Sequence, residues 1–97
     1  MTSEENTAMR IWCKLFQKNH LMEDVVIENY DMSMTRTQKV YAALEEACYA
    51  LNLEKPMWLD KNKREFIRHA RTRFTQDNFI EQIEYDYLDF QVIEEDY

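Results

Sequence analysis

The 97-residue chain contains no glycine and a single proline, Pro56. Glycine-dependent phosphate loops of the GxGxxG and GxxxxGK[ST] kinds are therefore excluded, because their backbones need a residue without a Cβ for close approach and unusual dihedrals. Tight turns must be made with Asn, Asp or His instead. Cysteine is scarce too: Cys13 and Cys48 lie far apart, outside any CxxC or Cys/His pair, each in an apolar periodic segment. That setting predicts buried free thiols behaving as small hydrophobes rather than exposed, electropositive catalytic thiolates. Only two histidines occur, His20 and His69, and neither stands in a spacing that reads as Ser-His-Asp or Cys-His. No apolar run approaches the roughly 20 residues of a membrane span, and MTSEENTA has neither a basic start nor an apolar core. A cytoplasmic protein with no membrane partner and no cofactor is the expectation.

What is present is apolar and aromatic material in quantity: 45% of the residues are hydrophobic and 32% charged, with six tyrosines, five phenylalanines and two tryptophans. Such a composition belongs to a folded domain rather than a disordered chain, and the length suffices for one core. Residues 1–8 are polar and read as a disordered N-terminus, leaving 9–97 as a single α+β domain.

RIWCKLFQ (10–17) and MEDVVIE (22–28) are β-branched and aromatic runs around an Asn-His step. They predict a hairpin in which Asn19 takes the left-handed conformation. Thr35 and Gln38 fit a capping box, and Val40, Leu44, Ala47, Cys48 and Leu51 recur at helical spacing, so a helix is expected from Arg36 to about Leu51. Pro56 forces an extended stretch; Asp60 is then a candidate cap for a second helix over KNKREFIRHA, with Leu59, Phe66, Ile67 and Ala70 as its apolar stripe. TRFTQD reads as a loop, and Thr75–Ile80 as a further helical turn with Phe79, Ile80 and Ile83 inward. YDYLDFQVI alternates, with Tyr85, Tyr87, Asp89 and Gln91 on one side and Asp86, Leu88, Phe90 and Val92 on the other. The order β-β-α-α-β predicts a small, mainly antiparallel three-stranded sheet with helices packed on one face and the last strand beside the first.

Charge is unevenly placed. Residues 54–73 hold seven lysines or arginines against three acidic residues, whereas residues 75–97 hold eight acidic residues and no base. On a helical wheel Lys61, Arg64, Arg68 and Arg71 share a stripe beside the apolar one, while Glu65 and His69 sit four apart on the other flank. One reading ties these cations to the acidic segment and to Glu65, with Arg71 or Arg73 partly buried against carboxylates of residues 77–89 and helping to fix the register of the last strand. A second has Lys61, Arg64, Arg68, His69, Arg71 and Arg73 grip an anion or an acidic protein surface, as the forked guanidinium does well. Nucleic acid is disfavoured as a partner because the net charge is −7. Catalysis by His69 has no readable supporting triad. The carboxylate pairs Asp86/Asp89 and Glu94/Asp96 lack metal-site spacing. Met9, Met32, Met34 and Met57 sit at segment edges, where they serve either as core gap-fillers or as an adaptable partner surface.

The stretches TRTQKVYAALEEACY, KPMWLDKN and RTRFTQDNFIEQIEYDYLDFQVIEED resemble a family of small uncharacterised proteins of anaerobic Gram-positive bacteria, over about residues 10–96. The resemblance implies a bacterial, cytoplasmic, single-domain protein and carries no activity or site residue with it. The functional expectation is a non-enzymatic interaction or accessory module, working with an unidentified protein partner or as a homodimer. The alternative is binding of a phosphate ligand or nucleic acid by residues 61–73.

Overall fold

The two apolar runs that open the chain form strands β1 (Ala8–Gln17) and β2 (His20–Asn29), paired antiparallel. The structure, a computed structural model, describes residues 8–96, so the expected disorder of residues 1–7 lies outside the described residues; Ala8 itself belongs to β1. The hairpin turns on Lys18 and Asn19, both left-handed with φ of 53° and 66°. Such a two-residue turn matches the twist of the strands it joins. For a residue with a Cβ this conformation costs about 1 kcal/mol. The Lys18 N–H donates to Asp86 Oδ2 at 2.8 Å and the Asp86 N–H donates to Phe16 O at 2.8 Å, which pins the turn to the segment before the last strand.

Helix α1 (Arg36–Ala50) begins as its sequence predicts: the Gln38 N–H donates to Thr35 Oγ1 at 3.2 Å, and the Thr35 N–H donates back to Gln38 Oε1 at 2.9 Å. Val40, Ala43, Leu44, Ala47 and Cys48 are buried along one side, and Leu51 just past the end joins them. At that end Asn52 takes the left-handed place usually given to glycine, with φ of 55°. The Leu53 N–H reaches back to Cys48 O at 2.8 Å and the Asn52 N–H to Tyr49 O at 3.2 Å, so the last carbonyls are satisfied.

Helix α2 (Asp60–His69) departs from expectation in two respects. Its N-cap is Leu59, whose N–H donates to Asn62 Oδ1 at 3.1 Å, while Asp60 is the first helical residue, placed where a carboxylate complements the helix dipole. Ile67 does not face inward: it is 86% exposed, and the buried side chains of α2 are Asn62 and Phe66. The physical reason is position, for α2 packs chiefly on a strand at the edge of the sheet rather than across its middle. The helix stops at Ala70, left-handed with φ of 54°, and the chain turns directly into a strand.

That strand is the main correction to the sequence reading. Arg71–Thr75, expected as a loop and partly as the last turn of a cationic stripe, is strand β3, followed by a 3-10 turn over Gln76–Asn78 and then β4 (Tyr87–Asp96). Of the residues expected to face inward after it, Phe79 is buried and Ile83 half-buried, but Ile80 is exposed. The sheet has four strands in the order β2-β1-β4-β3, all antiparallel, against the three expected, with the last strand beside the first as expected. A fourth strand is possible because RTRFT also alternates: Thr72 and Phe74 are buried, while Arg71, Arg73 and Thr75 alternate with them on the opposite face.

Ile11, Cys13 and Leu15 of β1 pair with Val92, Phe90 and Leu88 of β4, and these face α1 and α2 in one apolar cluster. Trp58, from the segment linking the helices, enters this cluster edge-to-face with Phe74 at 5.0 Å and Phe66 at 5.6 Å. The other face carries no helix, and its alternate positions hold Trp12, Lys14, Phe16, Tyr87, Asp89, Arg71 and Arg73. Among the described residues no helix is long and apolar enough to cross a membrane.

Candidate interaction site on α2 and β3

The cationic cluster is divided by the left-handed turn at Ala70. Arg71 points onto the helix-free face of the sheet, where its Nε donates to Asp89 Oδ1 at 3.0 Å and its Nη2 to Oδ2 at 2.5 Å. Asp89 is only 1% exposed, and Lys14 Nζ stands 3.7 Å from the same carboxylate. The hydrogen bonds from Arg71 to Asp89 raise the guanidinium above its ordinary pKa and keep it charged. Rings complete the cover: Lys14 Nζ lies 3.9 Å from the centre of the Trp12 ring, Arg73 lies 4.5 Å over Tyr87, and Tyr87 stacks on Phe16 at 5.2 Å. Arg71 thus does what one reading of the sequence required, since its fork grips a carboxylate within residues 77–89 and ties β3 to β4.

The cations before the turn are placed differently. Lys61, Arg64, Arg68 and His69 all lie exposed on α2, and among the described residues none of them has an ion-pair or hydrogen-bond partner. Glu65, which could have neutralised them, instead accepts a 2.6 Å hydrogen bond from Thr72 Oγ1. Between α2 and the outer edge of β3 runs an open groove of about 480 Å³, bordered by Lys61, His69, Arg71 and Arg73 and by the carboxylate of Glu65. The structure therefore keeps four of the six residues singled out in the sequence, Lys61, Arg64, Arg68 and His69, exposed on α2, and places Arg71 and Arg73 on strand β3 with their side chains on the helix-free face of the sheet.

Sequence reasoning missed the residues that hold this face in shape. The Val92 N–H donates to Ala70 O at 2.9 Å, so by antiparallel alternation the main-chain groups of Arg71, Arg73 and Thr75 point away from β4, toward the sheet edge. Two of those groups are satisfied by asparagines. Asn62 Nδ2 donates to Arg73 O at 2.9 Å and to Thr72 Oγ1 at 2.8 Å, and Asn78 Oδ1 accepts from the Thr75 N–H at 2.9 Å. The asparagines also bond each other at 2.7 Å, and Asn78 Nδ2 donates to Met57 O at 2.7 Å. Asn62 thereby uses both donors and accepts from Leu59 and Asn78 on its oxygen. Its burial carries no unsatisfied amide. The only local signal was an asparagine three residues after the N-cap.

The other chemistry-bearing residues lie apart. Cys13 and Cys48 are free and buried; burial raises both thiols, with Cys48 pushed up to about 12, which makes them poor nucleophiles. Met9 is a core residue, whereas Met32 and Met57 are exposed. His69 has no carboxylate orienting it, and among the described residues no three His, Cys, Asp or Glu side chains are grouped to hold a metal ion. Comparison with family models, curated proteins and solved structures finds no match to this chain.

Proposed function

We propose that the protein is a non-enzymatic interaction module which holds an anionic partner on the outer face of α2 and the adjoining edge of β3. One observation carries the reading: in a chain of net charge −7, Lys61, Arg64 and Arg68 stand exposed on one helix without an ion pair to Asp60 or Glu65, the two acids of that helix. The like-charge neighbours on this helix, such as Arg64 and Arg68 at i,i+4, repel by a few tenths of a kcal/mol per pair, and an anionic partner offsets that repulsion. The groove beside His69 and Arg73 favours a second reading, a phosphate-bearing ligand, because the guanidinium fork of Arg73 and a histidine border the same opening. Duplex or long single-stranded nucleic acid fits less well, since the acidic remainder of the surface repels a phosphate backbone. The same proposal takes the protein to be cytoplasmic and a relative of the bacterial family that its C-terminal half resembles.

The test combines light scattering with thermal-shift and binding titrations against inorganic phosphate, nucleotides, acidic peptides and short oligonucleotides, at low and moderate salt. Stabilisation by an anion that fades with salt, and that is lost in Lys61→Glu/Arg64→Glu/Arg68→Glu, is the expected result. Binding that the triple substitution leaves intact removes the basic face from the function.

A further inference from the structure

On the side of α2 that faces α1, the sheet-covering layer is incomplete. The helices leave between them an apolar cleft of about 250 Å³, walled by Val40 and Tyr41 from α1, Trp58 from the linker, and Phe66 and Ile67 from α2. Trp58 makes edge-to-face contacts to Tyr41 at 5.8 Å, Phe74 at 5.0 Å and Phe90 at 6.0 Å, and so forms a wall of the space rather than filling it. Drug-sized sites run to roughly 300–1,000 Å³. This smaller cleft fits one large side chain.

Two features define what would enter it. Ile67 stands at its rim with 86% of its surface exposed, an apolar side chain without apolar cover. Around it cations predominate: Arg36 and Lys63 line the cleft, and Ile67 also borders a depression lined by Lys61, Arg64, Arg68 and His69 with a single carboxylate, Glu65. Resting on the basic-face reading above, we propose that the partner is an acidic peptide segment with an apolar or aromatic anchor. The anchor seats against Tyr41, Trp58 and Ile67, and its flanking carboxylates reach Lys63 on one side and Arg64 and Arg68 on the other. Burial of a single aromatic anchor supplies affinity that surface charge pairs by themselves do not. The charge pairs supply orientation and salt-sensitive association. A second copy of the chain would bring a net charge of −7 without placing a known anchor here, and nucleic acid offers phosphates but no side chain for the cleft.

A displayed library of random short peptides, selected on the whole protein, tests this. Selected peptides should carry Asp or Glu on both sides of Phe, Trp, Leu, Ile or Met. Their dissociation constants, read by fluorescence anisotropy, should rise roughly tenfold or more in Ile67→Asp and in Tyr41→Ala. Arg64→Glu/Arg68→Glu should weaken them most at low salt. Because Ile67 is exposed, Ile67→Asp should keep the melting temperature of the parent. Selected peptides that are acidic but lack an anchor, or that bind Ile67→Asp as well as the parent while still losing affinity in Arg64→Glu/Arg68→Glu, overturn the cleft and leave the basic face standing. Peptides indifferent to both sets of substitutions overturn both. A single-stranded RNA oligonucleotide that outcompetes every selected peptide, and is released by Arg64→Glu/Arg68→Glu but not by Ile67→Asp, replaces the peptide with a nucleic-acid ligand.

Discussion

Arg68 and Arg71 are three residues apart in sequence and live in opposite circumstances. Arg71, one residue past the left-handed Ala70, is clamped bidentate onto a carboxylate that is itself out of contact with water. Arg68, on the last turn of α2, is exposed and without a counter-ion, although its charge does complement the C-terminal end of the helix dipole. Residue type is constant between them, so the difference comes from what the fold places opposite: a buried strand residue in one case, water in the other. The first arginine belongs to the architecture. The second is left for a partner.

The comparison breaks most readily at Asp89. Asp89→Ala leaves the buried Lys14 and the half-exposed Arg71 without their shared carboxylate, and is expected to destabilise by about 3 kcal/mol, the low end of the scale for removing one member of a buried ion pair. In a domain of this size the melting temperature should fall by about 4–8 °C for each kcal/mol, which differential scanning calorimetry reads directly. Next is Asn62→Ala, which strips Arg73 O, Thr72 Oγ1 and the Leu59 N–H of their partner. It is expected to cost about 2 kcal/mol and to raise amide exchange in β3 before β4. Arg71→Met combined with Arg73→Met keeps the Lys14 contact to Asp89, so a smaller loss is expected, about 1–2 kcal/mol, or several degrees. An unchanged melting temperature there would show that the clamp is not architectural and collapse the distinction drawn above.

At the other end of the scale, Arg64→Glu/Arg68→Glu should shift stability by less than about 0.5 kcal/mol, as substitutions at solvated positions do, while abolishing salt-sensitive binding. A pH titration offers a control outside both regions. The Tyr85 hydroxyl donates to Glu23 Oε2 at 3.0 Å, and that bond raises the phenol above its ordinary pKa. A raised value in the folded state means that the contribution is present below the ordinary tyrosine range and is lost as pH climbs through the raised one. Because Tyr85 lies near the surface, the effect should be the smallest of the series, and Tyr85→Phe should remove it.

Much of this was readable in order along the chain. The capping box at Thr35 and Gln38 is a local exchange of two hydrogen bonds and needs nothing distant. β4 announces itself because one of its faces must be apolar, and Leu88, Phe90 and Val92 recur every second residue. β3 did not, for a five-residue strand with two arginines has almost no apolar signal of its own; it exists because β4 offers hydrogen bonds and Asp89 offers a counter-charge. Ile67 was misread for a related reason. Its spacing is helical and apolar, but the helix rests on the sheet edge and fills its inner side with Asn62 and Phe66.

The sequence by itself determined the things that nearest neighbours decide: where α1 starts, that Asn19 would turn the hairpin, and that Leu88, Phe90 and Val92 share one side of the last strand. Only the tertiary structure decided which cations of the 61–73 cluster are tied down and which are free. That outcome depends on strand register, which sets Arg71 against a carboxylate 18 residues away and leaves Arg64 and Arg68 on the far side of a helix with nothing opposite them. Charge patterning along a chain records how many ions there are; the desolvation and geometry that give each one its role arise only when distant segments meet.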